Sequence, residues 1–274
     1  MAENLTELAE REAPPEERPP QPRGVFIARF GFAYAALALV TGIAIGGVIV
    51  LAGRPSDAGE RWSAWRPASD GTARMREIAE FVSRRYRLPS GKPLVGVIPQ
   101  RPPTVSDLPI RNVALSQGPA EEDLSFVPLF DEDVSYILCG LGQRCAISEG
   151  TPSLARARLL HREALELALY TFKYVDGAKS VVALLPPAAN SENSQNPQNP
   201  QNTFALFFRK RELRSILDRP LQTTLSQPRV LDPTRLGAAE TQRIDRLTRR
   251  SLFQYAFQQS PDGSAFLVLR PPPL

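Results

Sequence analysis

Histidine is nearly absent from these 274 residues, His161 being the only one. His-dependent nucleophilic triads place an imidazole as general base, so most such arrangements are excluded unless they use this residue. It stands in RARLLHREALELALY beside Arg156, Arg158 and Arg162, where neighbouring positive charge disfavours the imidazolium and lowers the pKa. It therefore reads as structural. A structural zinc site takes four ligands, and one histidine with two cysteines does not supply them. GxSxG, Walker A, GxGxxG and HExxH patterns are all missing, which removes the common signatures of hydrolases, nucleotide binders and zinc proteases. No cofactor and no metal is expected. Lysine is scarce as well: Lys92, Lys173, Lys179 and Lys210 stand against 29 arginines, and proline reaches 27. That bias is the mark of a high-GC bacterial coding sequence. A net charge of +4 falls far short of the dense basic surface of a dedicated nucleic-acid binder, so no nucleic-acid partner is expected.

Charge is missing altogether from FGFAYAALALVTGIAIGGVIVLA, residues 30–52, and so is proline. At 1.5 Å per residue this run makes about 34 Å of helix, enough to cross a hydrocarbon core of roughly 30 Å. A cleavable signal peptide has a shorter apolar region, of about 7–15 residues, so the sequence predicts an uncleaved single transmembrane helix. Arg18, Arg23 and Arg29 precede it and Arg54, Arg61 and Arg66 follow it, so the positive-inside rule is nearly silent on direction. The short acidic tail before the run and the large domain after it favour a cytoplasmic N-terminus and an extracytoplasmic C-terminal domain. Gly42 and Gly46 form a GxxxG pair, a spacing that allows close helix approach and hence a homodimer through the span.

Large apolar residues are sparse in two further segments. Residues 1–29 combine proline with charge and read as a disordered cytoplasmic tail. Residues 189–202 hold the tandem QNP repeat, in which recurrent proline forbids a helix and the amides have nothing to bury. A juxtamembrane linker over 53–69 and a folded domain over 70–274 complete the expected organisation. Within the domain, Asp70 is read as the cap of a helix over 72–87, and Thr151-Pro152 as N-cap and N1 of a longer one running to 174. Asp232 and Pro233 mark a further helix start, and RKRELRSILD a short basic helix. The stretches 93–99, 110–116, 134–140, 180–185 and 203–208 read as strands. LFQYAFQQ and AFLVLR, joined by Asp262-Gly263, read as a β-hairpin. The irregular mixture gives an α+β fold class: a single transmembrane helix followed by one mixed α/β extracytoplasmic domain with a C-terminal β-hairpin.

Cys139 and Cys145 are the only cysteines. In an oxidising compartment the pair is expected to form a disulfide, and closing a loop of that length contributes about 2.4 kcal/mol by chain entropy. CxxC spacing, typical of redox pairs, is not present.

Two charged groups remain. EEDLSFVPLFDEDVS concentrates six acids without the alternation or glycine of a calcium loop. Arg243, Arg246, Arg249 and Arg250 follow i, i+3, i+6, i+7 spacing and share a helix face suited to an anionic partner. The functional expectation is a single-pass cell-envelope protein whose outer domain binds a protein or envelope-polymer partner without catalysis. The alternative is a membrane-tethered enzyme working on envelope material through carboxylates such as Glu149, Asp131 or Asp133, since paired acids suffice for glycoside hydrolysis.

Overall fold

A computed structural model describes residues 61–105, 108–116, 124–187, 203–259 and 263–272. The tail 1–29, the run 30–52 with Gly42 and Gly46, and the loop 189–202 lie outside the described residues. No helix among the described residues is long and apolar enough to cross a membrane.

The described chain folds into a large mixed sheet with four helices. In chain order these are α1 (Gly71–Ser83), β1 (Gly96–Gln100), β2 (Thr104–Val105), β3 (Leu108–Ser116), β4 (Leu124–Pro128) and β5 (Val134–Cys139). There follow α2 (Leu154–Tyr174), β6 (Ser180–Leu184), β7 (Phe204–Arg209), α3 (Lys210–Leu217), α4 (Ala238–Thr248), β8 (Leu252–Gln259) and β9 (Ala265–Arg270). The strands run β1-β5-β6-β7-β8-β9-β3-β2, with β4 on β3 as well. The expected hairpin is present as antiparallel β8 and β9, from Gln254 opposite Arg270 to Gln259 opposite Ala265. Two pairs are parallel: β5 with β6, joined through α2, and β3 with β9.

The two cores follow from the pleat, which sends alternate side chains to opposite faces. In β6 and β7, Val181, Ala183, Leu206 and Phe208 join the helices in the larger core. Their neighbours Val182, Leu184, Ala205 and Phe207 join Ile110, Val113, Leu267 and Leu269 in a second one. The sheet thus curls so that β3 and β9 cover the face of β6 and β7 that the helices leave. Every residue of β6 is buried, as its unbroken SVVAL run requires.

Helix boundaries differ from the sequence reading for local reasons. In α2 the cap is Ser153, not Thr151, its Oγ accepting from the Arg156 amide at 3.2 Å. Asp70 is the N-cap residue of α1, as read, but its side chain makes no capping bond and pairs with Arg74 instead. Asp232 takes the amide of Thr234 at 2.9 Å and so closes a turn, while α4 begins only at Ala238. Residues 61–69, read as linker, are packed. The Trp65 ring stacks on Phe81 at 3.9 Å and the Trp62 carbonyl accepts from Leu221 at 2.6 Å.

The disulfide joins Cys139 to Cys145 with Cα atoms 4.4 Å apart. Its loop demands glycine at two places: a Cβ on Gly140 would lie 2.2 Å, and one on Gly142 2.8 Å, from the Ala146 carbonyl oxygen. Gly140 and Gly142 donate their amides to the carbonyls of Cys145 and Ala146, each at 2.8 Å.

Fourteen of the 21 residues of α2 are buried, four of them charged: Arg156, Arg162, Glu163 and Glu166. Enclosure by α1, α4 and the sheet forces these groups to find partners inside the protein. Arg162 donates to Glu240 at 2.8 Å and Glu166 at 3.2 Å, and also to the Tyr86 hydroxyl and the Ser226 carbonyl. Glu166 further accepts from Tyr86 at 2.6 Å and pairs with Arg85. Burial works against the Arg162 charge, but Tyr86, Glu166 and Glu240 more than offset it and its pKa rises.

Glu163 is the exception. It is fully buried and neither carboxyl oxygen has a hydrogen-bond partner among the described residues. Burial first, and then the negative Glu166, push its pKa well above the usual carboxylate range. A raised folded pKa means stability that is present below the unfolded value and lost as pH rises through the folded one. Glu163→Met should therefore raise stability by about 1–3 kcal/mol at neutral pH and remove part of the decline above pH 4.5. Urea midpoints of both proteins between pH 4.5 and 8 provide the check. Parallel pH curves would show that Glu163 is ionised and paired in the fold.

Candidate anion-binding cleft

A cleft of about 670 Å³ opens where the C-terminal end of α2, the start of β6, the end of β7 and α3 converge. Chain geometry brings these together. Ser180 at the start of β6 pairs with Arg209 at the end of β7, and the Lys210 amide donates to the Lys179 carbonyl at 2.8 Å. Helix α3 begins directly from β7, so the RKR sequence at the junction is delivered to one rim.

Among the described residues, six cationic side chains line the cleft, Lys173, Lys179, Arg209, Lys210, Arg211 and Arg214, with Asp218 as the one acid. Three of the four lysines in the chain are thus in one place. All but Arg209 are exposed, which leaves their charges hydrated and able to exchange water for a ligand. Lys179 is held over the Phe130 ring, Nζ 4.6 Å from its centre, a cation–π contact. Lys173 Nζ lies 3.4 Å from the Leu217 carbonyl and 5.7 Å from the Trp62 ring. Arg209 pairs with Glu212, but its Nε is buried without a hydrogen-bond partner among the described residues. Val127, Pro128, Phe130, Phe172 and Leu217 supply the apolar part of the lining.

Asp133 holds this wall in shape. Fully buried, it takes the amides of Lys179 at 2.8 Å and Ser180 at 2.7 Å on Oδ1, and that of Phe130 at 2.9 Å on Oδ2. One carboxylate thereby ties the β4–β5 connection to the start of β6.

The carboxylates considered for catalysis are dispersed. Asp131 is exposed and pairs with Arg111 at 3.1 Å. Glu149 pairs with Lys92, whose hydrogen bond lowers its pKa. Asp133 is the buried brace just described. His161 has its pKa lowered to about 4, by burial, with Asp245 acting in the opposite direction. The sequence reading had the direction right but assigned it to the neighbouring arginines. His161 borders a second cleft, of about 370 Å³, lined by such groups as Ile147, Leu160, Leu185 and Phe204.

The α4 arginines do not line the basic cleft. Arg243 donates to the carbonyls of Thr223 at 2.8 Å and Thr224 at 2.9 Å. Because α4 ends at Thr248, Arg249 is its C-cap and Arg250 stands beyond it; Arg246, Arg249 and Arg250 are exposed. The basic α3 and the scarcity of lysine are evident in the sequence, but Lys173 lies in α2, Lys179 just before β6 and Lys210 at the start of α3. No local spacing links them.

Comparison with known proteins yields no match, whether with family models, with characterised proteins or with solved structures.

Proposed function

We propose that the chain is a single-pass membrane protein of the bacterial cell envelope whose folded domain is a non-catalytic binding module for an anionic partner. Residues 30–52 are the anchor in this reading, with the tail 1–29 in the cytoplasm and the domain outside. The Cys139–Cys145 disulfide supports that orientation, since such bonds persist in oxidising compartments. The observation that carries the binding role is the basic cleft, lined among the described residues by six cations and one acid. Exposed like charges brought together repel one another, an arrangement that an anionic ligand relieves. Catalysis through carboxylates finds less support, because Asp131 and Glu149 are in ion pairs and Asp133 is committed to three backbone amides.

Crosslinking of the full chain in native membranes tests the proposal. Reversing Lys179, Lys210, Arg211 and Arg214 to glutamate should reduce crosslinked adducts at least tenfold while the disulfide still forms. Adducts of the unaltered chain should decline as salt is raised, since screening lengths contract to about 3 Å at 1 M. If reversing Arg246, Arg249 and Arg250 abolishes adducts and the cleft variant does not, the partner surface is α4 and the cleft assignment fails.

A further inference from the structure

We infer that the ligand of the basic cleft is the headgroup of an anionic phospholipid in the membrane that anchors the chain, an inference that rests on the binding role proposed above. Three observations converge on it. The first is the kind of cation. Lys173, Lys179 and Lys210 present ammonium groups, compact charges with three rotatable donors, and Arg211 and Arg214 add planar forks suited to phosphate oxygens. With Lys179 lodged over the Phe130 ring, one of these charges is placed before any ligand arrives.

The second is the apolar part of the lining. Phe130 is 46% exposed, and with Val127, Pro128 and Leu217 it gives the cleft apolar surface among its cations. A free inorganic anion gains little from such surface. An amphiphile matches both kinds of lining, its phosphate meeting the ammonium groups and its glycerol and first methylenes covering the apolar atoms.

The third is position along the chain. Lys173 Nζ lies 5.7 Å from the ring of Trp62, whose carbonyl binds the amide of Leu221. The uncharged run ends at Ala52, ten residues before Trp62, and ten residues reach at most about 36 Å. A tether of that length holds the bilayer surface at a high effective concentration around the domain. A soluble partner has no such advantage.

Hydrogen exchange on the full chain in nanodiscs decides the matter. One set of discs contains phosphatidylcholine alone and the other replaces about a third of it with phosphatidylglycerol. Peptides covering 172–180 and 209–218 should exchange at least threefold more slowly in the anionic discs, with peptides of β8 and β9 unchanged. Lys179→Gln with Lys210→Gln should abolish the difference; both residues are exposed, and exchange elsewhere reports whether the fold persists. Equal exchange in the two discs, with slowing on addition of soluble polyphosphate, would overturn the headgroup and leave the anionic-partner reading standing. Equal exchange with no response to polyphosphate overturns the headgroup and the cleft together. Slowing confined to peptides covering 243–250 overturns the cleft in favour of α4.

Discussion

Arg162→Leu should destabilise the domain by about 3–5 kcal/mol, the usual cost of removing one partner from a buried ion pair. Arg162 is fully buried and has hydrogen-bond partners on α1's C-terminal side, on α2 and on α4: Tyr86, Glu166 and Glu240, with the Ser226 carbonyl between them. Leucine fills much of the stem volume but leaves Glu166 with Arg85 as its remaining cation and Glu240 with the Ser226 hydroxyl and amide. The loss falls on charge pairing and hydrogen bonds, not on packing. A second substitution, Glu166→Leu, in the Arg162→Leu background should cost further stability, because it takes from Arg85 and Tyr86 the carboxylate that both bond. For a domain of this size the single variant should melt about 6–20 °C lower. Thermal unfolding of the full chain in detergent measures it, and a shift under 2 °C would show that the network bears no load.

Asp133→Ala should have an effect of similar size, about 3–5 kcal/mol, by stranding the amides of Lys179, Ser180 and Phe130; buried unpaired groups cost about 1–3 kcal/mol each and do not add in full. Asn provides the discriminating control. Its carbonyl oxygen can still serve Lys179 and Ser180, whereas its NH₂ group would face the Phe130 amide, donor against donor. Asp133→Asn is therefore expected to cost about half as much. The structural brace predicts that both variants weaken anion binding in proportion to lost stability, since Phe130 and Lys179 shift together. A catalytic carboxylate predicts an Asn variant that is stable yet inactive. Denaturant titration alongside crosslinking separates the two, and a fully stable Asp133→Ala would remove the brace.

Much of the architecture was legible because it is local. The apolar runs at 180–185 and 203–208 and the alternation of the last hairpin point directly to β6, β7, β8 and β9, whose extents match to within a residue or so. The disulfide was legible from two cysteines close in sequence in a domain expected outside the cytoplasm. Helix starts were not, because Thr151, Ser153 and Asp232 are all acceptable caps and tertiary placement chose among them. Strand β4 was obscured by the acids before and after it. The burial of the α2 charges has no local signal. Tyr86, Glu240 and Ser226, which hold Arg162, come from distant parts of the chain. The cleft was hidden likewise: one lysine ends a helix, one precedes a strand and one starts another helix. Parallel pairing of β3 with β9 has no signature in either strand, since pleating is the same whichever way the neighbour runs.

That parallel pairing also sets a schedule. Strand β9 is bonded to β8 on one side and to β3 on the other, with Val113 opposite Leu267 and Ala114 opposite Val268. During synthesis β3 leaves the ribosome long before β9 does. Until β9 emerges, the edge of β3 that it covers is unpaired, and such edges invite pairing with other chains. Contacts so distant in sequence also form slowly. The sheet therefore closes late, and a chain lacking Ala265–Arg270 would leave β3 and β8 without the strand that joins them.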